Sequence, residues 1–190
     1  MAAILVAVGL TLAKDDLGSL FGPDQPSGTS RGGTDSSSPE VKVKVENATS
    51  FDPDGDDRVE NPASTSLAID DDPTRGWRTA GYNQNLGRQR GGIKDGVGLV
   101  LDLGRSREVG KLTLTLDPAG DSELTIYGAD DSRPSTLEGW TELAGPKTGQ
   151  DQVTFNLEGR HHYLLIWFTS LPQDDDGKYR GGVANVTLTS

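Results

Sequence analysis

Between Val41 and Ser190 the hydropathy of the chain repeats with a period of two, over and over. Leu112, Leu114 and Leu116 alternate with Lys111, Thr113 and Thr115. Leu124 and Ile126 alternate with Glu123 and Thr125. Val153, Phe155 and Leu157 alternate with Thr154 and Asn156, and Val186 and Leu188 with Thr187 and Thr189. Val41, Val43 and Val45 alternate with Lys42 and Lys44. Successive side chains of a strand point to opposite faces, so each run describes a strand with one buried face. Two runs, Val97–Leu103 and Tyr163–Phe168, are apolar at nearly every position, which predicts central strands covered on both sides. Glycine, proline and aspartate clusters separate the runs, and no stretch carries a sustained helical period. Strands in series without intervening helices predict an all-β sandwich or jelly roll.

The remainder of the chain divides into two zones. Residues 1–13 are almost wholly apolar (MAAILVAVGLTLA). About 20 residues are needed to cross a bilayer, so this run is too short to do so alone. It lacks the basic start of a signal peptide. It is read as the outer end of a membrane helix, with a buried core helix as the alternative. Residues 14–40 are a polar, Gly/Ser-rich stretch with too little apolar surface to offset the cost of ordering, and read as a flexible linker. The folded part is therefore expected at residues 41–190, an ordinary size for one domain.

Charge and residue usage remove several classes of function. The 190 residues carry a formal net charge of −11, which argues against nucleic-acid binding, where a basic face must release phosphate counterions. The absence of cysteine removes disulfides and thiolate metal sites. There is no Gly-x-Ser-x-Gly elbow and no phosphate-binding Gly-Lys-Ser/Thr loop. The two histidines, His161 and His162, are neighbours ahead of a strand run and would point to opposite faces. A pair of glycosidase-type acids could lie among the 29 Asp and Glu, and nothing in the spacing singles one out. The expectation is a binding module and not an enzyme.

Two acidic segments invite a metal reading. Asp52, Asp54 and Asp56 surround Gly55, but an EF-hand loop needs Gly sixth and Glu twelfth, where this chain has Asp57 and Ala63. A solvated Asp-Gly turn fits better there. The run Asp70-Asp71-Asp72-Pro73-Thr74 follows Leu67 and Ile69 and precedes Trp77. Three adjacent carboxylates repel unless solvated or shared by a cation. Asp70, Asp72 and Thr74 are candidate oxygen ligands for a structural Ca²⁺. Turn capping of backbone N–H groups by the same aspartates is the alternative.

A further group of residues points to binding. Arg78, Arg88, Arg90 and Lys94 fall in a Gly-rich stretch that also holds Tyr82. A basic loop on an acidic chain suits an anionic partner such as phosphate or carboxylate groups. A solvated loop with locally paired charges is the alternative. Trp77, Trp140 and Trp167 read as core. Tyr82 and Tyr179, in polar loops, are the candidates for aromatic platforms under a sugar.

Several segments in order carry a resemblance. They are Phe51–Asp56, Glu60-Asn61-Pro62, Ala68-Ile69-Asp70, Trp77-Arg78-Thr79, Tyr82, Gly96–Gly104 and Gly177-Lys178-Tyr179-Arg180. The Asp-rich turn and its Trp resemble the signature of discoidin domains, also called factor V/VIII C-type or galactose-binding-like domains. The set as a whole resembles the C-terminal extracytoplasmic domain of actinobacterial MviN/MurJ-type proteins, related to peptidoglycan lipid II flippases. The resemblance covers about residues 45–190. It implies a discoidin-like jelly-roll β-sandwich that serves as a non-catalytic accessory domain, membrane-anchored on the extracytoplasmic face. Its implied partner is a cell-wall glycan, an anionic envelope component or an envelope protein. A generic carbohydrate-binding module and a protein-interaction or spacer domain are the rival readings. Discoidin domains with a structural calcium often place a Glu near the last strand; this chain has Asn185 there, which makes Asn185 the fourth candidate ligand.

Overall fold

A computed structural model describes residues 40–190; the apolar run and all but the last residue of the linker lie outside the described residues. Among these described residues nine strands form two antiparallel sheets: β1 (Asn47–Phe51), β2 (Trp77–Arg78), β3 (Val97–Glu108), β4 (Lys111–Leu116), β5 (Ser122–Ala129), β6 (Thr141–Gly149), β7 (Gln152–Asn156), β8 (Arg160–Ser170) and β9 (Gly182–Thr189). One sheet has the order β1-β3-β8-β5-β6 and the other β2-β9-β4-β7. The fold is the all-β sandwich that the alternation predicts. Among the described residues the helical elements are short 3-10 turns, Pro62–Ile69 being the longest, and no helix is long and apolar enough to cross a membrane.

The inner faces interdigitate in one core. Leu99, Leu101, Leu124, Ile126, Leu164, Ile166 and Phe168 from the first sheet meet Leu112, Leu114, Val153, Phe155, Val186 and Leu188 from the second. The two-sided apolarity of β3 and β8 has a separate cause. Their outward residues Val100, Leu165 and Trp167 join Phe51 and Trp140 in a second cluster on the outer face of the five-stranded sheet. Phe51 contacts both tryptophans edge-on, with ring centroids 6.0 and 5.7 Å apart. In β9 a register shift opposite Thr115 and Leu116 restores the inward parity of Val183 relative to Val186.

Two expectations change. The alternation at Val41–Val45 does not make a strand: Lys42 forms an isolated bridge with Thr189, and Val41 is exposed. Asp52 does not sit in a solvated turn. It is buried and ion-paired, as described below.

Register places the loops. β1 ends at Phe51 opposite Gly98, and β8 ends at Ser170 opposite Glu123. β9 begins at Gly182 opposite Arg78. The connections 79–96, 117–121 and 171–181 therefore gather at one end of the sandwich. The connections 130–140 and 157–159 lie at the other.

Candidate functional site

The loop end is built around one buried polar cluster. Glu60 and Asp52 are 5% and 3% exposed, and Lys94 between them is 8% exposed. The Lys94 ammonium donates to Asp52 Oδ2 at 2.6 Å and reaches Glu60 Oε2 at 3.4 Å. The Ala80 amide and the Tyr82 hydroxyl both donate to the Glu60 carboxylate. The Trp77 indole N–H donates to the Glu60 carbonyl at 2.8 Å. Lys94 also lies 4.6 Å from the centre of the Tyr82 ring. Burial pushes the Tyr82 phenol well above its ordinary range, helped by the Glu60 hydrogen bond, so it stays protonated.

This arrangement corrects the picture of an exposed basic loop. Lys94 is buried, and Tyr82 spends its hydroxyl on Glu60 instead of offering a free platform. Arg78 forks onto the Asp117 carboxylate, with Nε at 2.7 Å from Oδ2. Arg90 forks onto Glu123 at 2.9 and 3.2 Å and donates to the Thr169 carbonyl at 2.9 Å. The Arg90 guanidinium, followed by the Thr169 hydroxyl, holds Glu123 below the usual carboxylate range. Arg88 rests between Asp54 and Asp95 at 3.5 and 3.7 Å. Each of the four cations thus has a carboxylate of its own chain.

What the loops leave open is polar, with Arg90 the one charged residue in its walls among the described residues. Residues 79–96 and 171–181 are zipped together where Tyr82 and Tyr179 exchange backbone hydrogen bonds, 2.9 Å each way. Asn85 pins this pair to the end of β8. Its Oδ1 accepts from the Leu171 amide at 2.8 Å, and its Nδ2 donates to Ser170 Oγ and the Leu171 carbonyl, each at 3.1 Å. Beside them the chain turns tightly through Arg88–Arg90. Gly92 then lies so close to Leu86 that a Cβ would stand 2.4 Å from the Leu86 carbonyl oxygen, which only glycine avoids. The result is an open hollow of about 450 Å³, whose walls include Asn83, Gln84, Asn85, Arg90, Ser170 and Tyr179. Asn85 is spent on Ser170 and Leu171, and Asn83 Oδ1 accepts from Lys178, so Gln84, the Asn83 Nδ2 and the Tyr179 hydroxyl are what supply donors and acceptors without net charge. The sequence signal for this hollow was the run Tyr82-Asn83-Gln84-Asn85, which reads as an ordinary polar loop until its partner loop is known.

The Asp-rich turn closes on itself. Asp70 Oδ1 accepts from the Asp72 amide at 3.0 Å, and Asp72 Oδ1 accepts from the Thr74 amide and hydroxyl at 3.1 and 2.6 Å. The Thr74 hydroxyl and amide lower the Asp72 pKa, with a smaller contribution from Arg75. The remaining oxygens face Arg75, whose Nη2 is 2.8 Å from Asp70 Oδ2 and whose Nε is 3.1 Å from Asp72 Oδ2. Asp71, at a positive φ of 62°, turns outward to Lys42. Of the candidate ligands Asp70, Asp72, Thr74 and Asn185, the Asn185 Oδ1 is the buried oxygen without a partner among the described residues. A calcium ion takes six to eight oxygens. With the carboxylates already engaged, these residues fit a guanidinium-closed turn and do not fit a calcium cage. Thermal melts in calcium and in chelator are therefore expected to superimpose. A bound ion at hundredfold excess would add about 2.7 kcal/mol, raising the midpoint by about 2–4 °C per kcal/mol. A shift of that size would restore the ion and overturn the arginine's role.

The histidines do not form a joint site. His161 Nδ1 lies 3.5 Å from Asp130 at the far end of the sandwich, and His162 Nε2 lies 3.1 Å from Asp102.

No family model matches the sequence. Solved structures match the fold over most of its length. Chitosan-binding module 1 of a chitosanase/glucanase from Paenibacillus sp. IK-5 superposes with a TM-score of 0.56 at 18% identity, covering 78% of this chain and 97% of that one. Chitosan-binding module 2 of the same enzyme, in complex with chitotriose, gives 0.56 at 12% identity, covering 78% and 98%. A family 32 carbohydrate-binding module of Clostridium perfringens, in complex with GlcNAc-α-1,4-galactose, gives 0.53 at 14% identity, covering 84% and 100%. At these identities the likeness establishes the fold alone, a discoidin-like (galactose-binding-like) β-sandwich.

Proposed function

We propose that this chain is a non-catalytic glycan-binding module whose ligand enters the hollow between residues 83–92 and 171–181. The observation that carries the reading is the polar, amide-bearing surface of that hollow at the loop end of a sandwich, where the cation in its wall, Arg90, is already paired with Glu123. Loops on a rigid scaffold are where such folds present their contacts. Structures of the same fold were solved with chitotriose and with a galactose-containing disaccharide bound, which supports a sugar as the class of ligand. The internal pairing of Arg78, Arg88, Arg90 and Lys94 turns the reading from an anionic ligand to a neutral one. An anion would have to break the fork-shaped pair of Arg78 or Arg90 to be bound there, whereas sugar hydroxyls need only Gln84, the Asn83 Nδ2 and the tyrosine hydroxyl. The setting at the cell envelope, membrane-anchored on the extracytoplasmic face and accessory to an MviN/MurJ-type protein, rests on the sequence resemblance. Its anchor lies outside the described residues.

Titration calorimetry of the purified chain against neutral mono- and oligosaccharides tests the proposal. Gln84→Ala and Tyr179→Phe are each expected to weaken binding by about 2- to 12-fold, since a lost hydrogen bond is worth about 0.5–1.5 kcal/mol. Gln84 is exposed, and Phe keeps the Tyr179 ring that packs against the core, so melting temperatures should hold. Raising salt should have little effect. Absence of binding to any sugar would leave the spacer reading, and binding abolished by salt would return the site to the arginines.

A further inference from the structure

The Arg88–Arg90 turn has a hollow on either side, and Arg90 lines both. The second, about 420 Å³, opens on the outer face of the five-stranded sheet. Strand alternation explains its floor. Thr125 and Tyr127 of β5 point outward, alternating with inward-facing Leu124 and Ile126. Trp167 and Thr169 of β8 do the same on either side of inward-facing Phe168, with Thr125 directly opposite Trp167. Trp167 is covered, but Tyr127 is only half-buried and brings an aromatic ring to the lining of the hollow. Arg88 and Asp95 form the rim, more than half exposed and 3.7 Å apart, a loose pair with donors and acceptors to spare. Arg90 and Glu123 supply one further charge of each sign, so the charges lining this hollow balance. An aromatic flank beside balanced, hydroxyl-accepting polar groups suits a sugar ring, which has one apolar face and a polar edge.

We propose that the two hollows are a single track for a linear neutral oligosaccharide. The end hollow holds one sugar, and the chain passes Arg90 so that a later residue rests against Tyr127. The Arg90 guanidinium, clamped by Glu123 and the Thr169 carbonyl, forms the fixed ridge that the ligand crosses. This inference rests on the glycan reading above and deepens it, from recognition of a sugar to recognition of chain length.

The test is calorimetry with N-acetylglucosamine, glucose and galactose and with their neutral oligomers up to the tetramer. The wild-type chain is expected to bind a tetramer at least about tenfold tighter than the matching monosaccharide. Tyr127→Ala should cut that ratio several-fold, whereas Gln84→Ala should weaken monomer and tetramer together. Because Tyr127 also touches the outer apolar cluster, exposed Arg88→Ser serves as a second variant that no core packing depends on, and it too should reduce the ratio. Equal affinity at every chain length would overturn the track while leaving the end-hollow reading intact. So would a ratio that both variants leave at its wild-type value. Failure of every sugar to bind would overturn both readings together.

Discussion

Lys94→Met is expected to destabilise the fold by about 3–5 kcal/mol, the cost of stranding buried charge when one partner is removed. That is a large share of the about 5–15 kcal/mol that holds a typical domain together. Lys94 answers two carboxylates that are nearly inaccessible to water, Asp52 and Glu60. Even with the ammonium in place, burial holds the Asp52 pKa above its ordinary value of 3.8, and its Oδ1 has no hydrogen-bond partner among the described residues. The sign of the pH dependence follows. A carboxyl whose folded pKa lies above its unfolded one favours the folded state when protonated. Its contribution is complete below the unfolded pKa and is lost as pH rises through the folded value. Removing Lys94 raises that folded pKa further, so the deficit should be widest at neutral pH and narrow under mild acid. Urea unfolding of both proteins at the two pH values measures it. A loss under about 1 kcal/mol at neutral pH, the range of a surface ion pair, would mean the cluster is solvated.

Why this cluster escapes a reading of the sequence is a matter of range. Lys94 is 42 residues from Asp52 and 34 from Glu60, Arg78 is 39 from Asp117, and Arg90 is 33 from Glu123. Pairing over such separations is decided by how loops fold over a sandwich end, and spacing along the chain carries no trace of it. These three cations, with Arg88, therefore look like one free basic patch in the sequence. Arg75 is only three residues from Asp72, but its second contact to Asp70 depends on the left-handed backbone at Asp71. Strands behave differently. β4, β5, β7 and β9 are legible because each has one face in the core, and β3 and β8 because a second apolar cluster covers their outer face. β6 lies at a sheet edge with most side chains in water, so it shows no alternation and tolerates Pro146. Val41–Val45 has the alternation without the ladder: Val41 and Val43 bond the end of β9 on either side of Lys42, and by Glu46, whose amide donates to the Asp102 carbonyl, the chain has crossed to the other sheet. The end hollow was legible as a polar loop and nothing more, because its shape comes from two segments that meet through Tyr82 and Tyr179.

Trp77→Ala should cost a further about 3–5 kcal/mol, the range for emptying a large buried aromatic site. The indole is fully buried, packs 6.2 Å from Phe168, and donates to the Glu60 carbonyl. Trp77→Phe separates the two roles, keeping much of the packing while orphaning that carbonyl for about 1–3 kcal/mol. The consequence for function runs through Glu60, which also receives the Ala80 amide, the Tyr82 hydroxyl and Lys94. Loosening Glu60 releases the start of the 79–96 segment, and that segment is one wall of the hollow. Hydrogen exchange at the Ala80 amide should therefore accelerate in both variants, and sugar affinity should fall at temperatures far below the melting transition. Because Trp77 and Lys94 act on the same residue, the double variant Trp77→Phe with Lys94→Met should depart from additivity by about 0.5–3 kcal/mol. The second substitution should cost less than it does alone, since a Glu60 already released can reach water. Strictly additive losses, with Ala80 exchange unchanged, would show that the two residues stabilise the fold independently and that Glu60 is not what holds the binding loop in place.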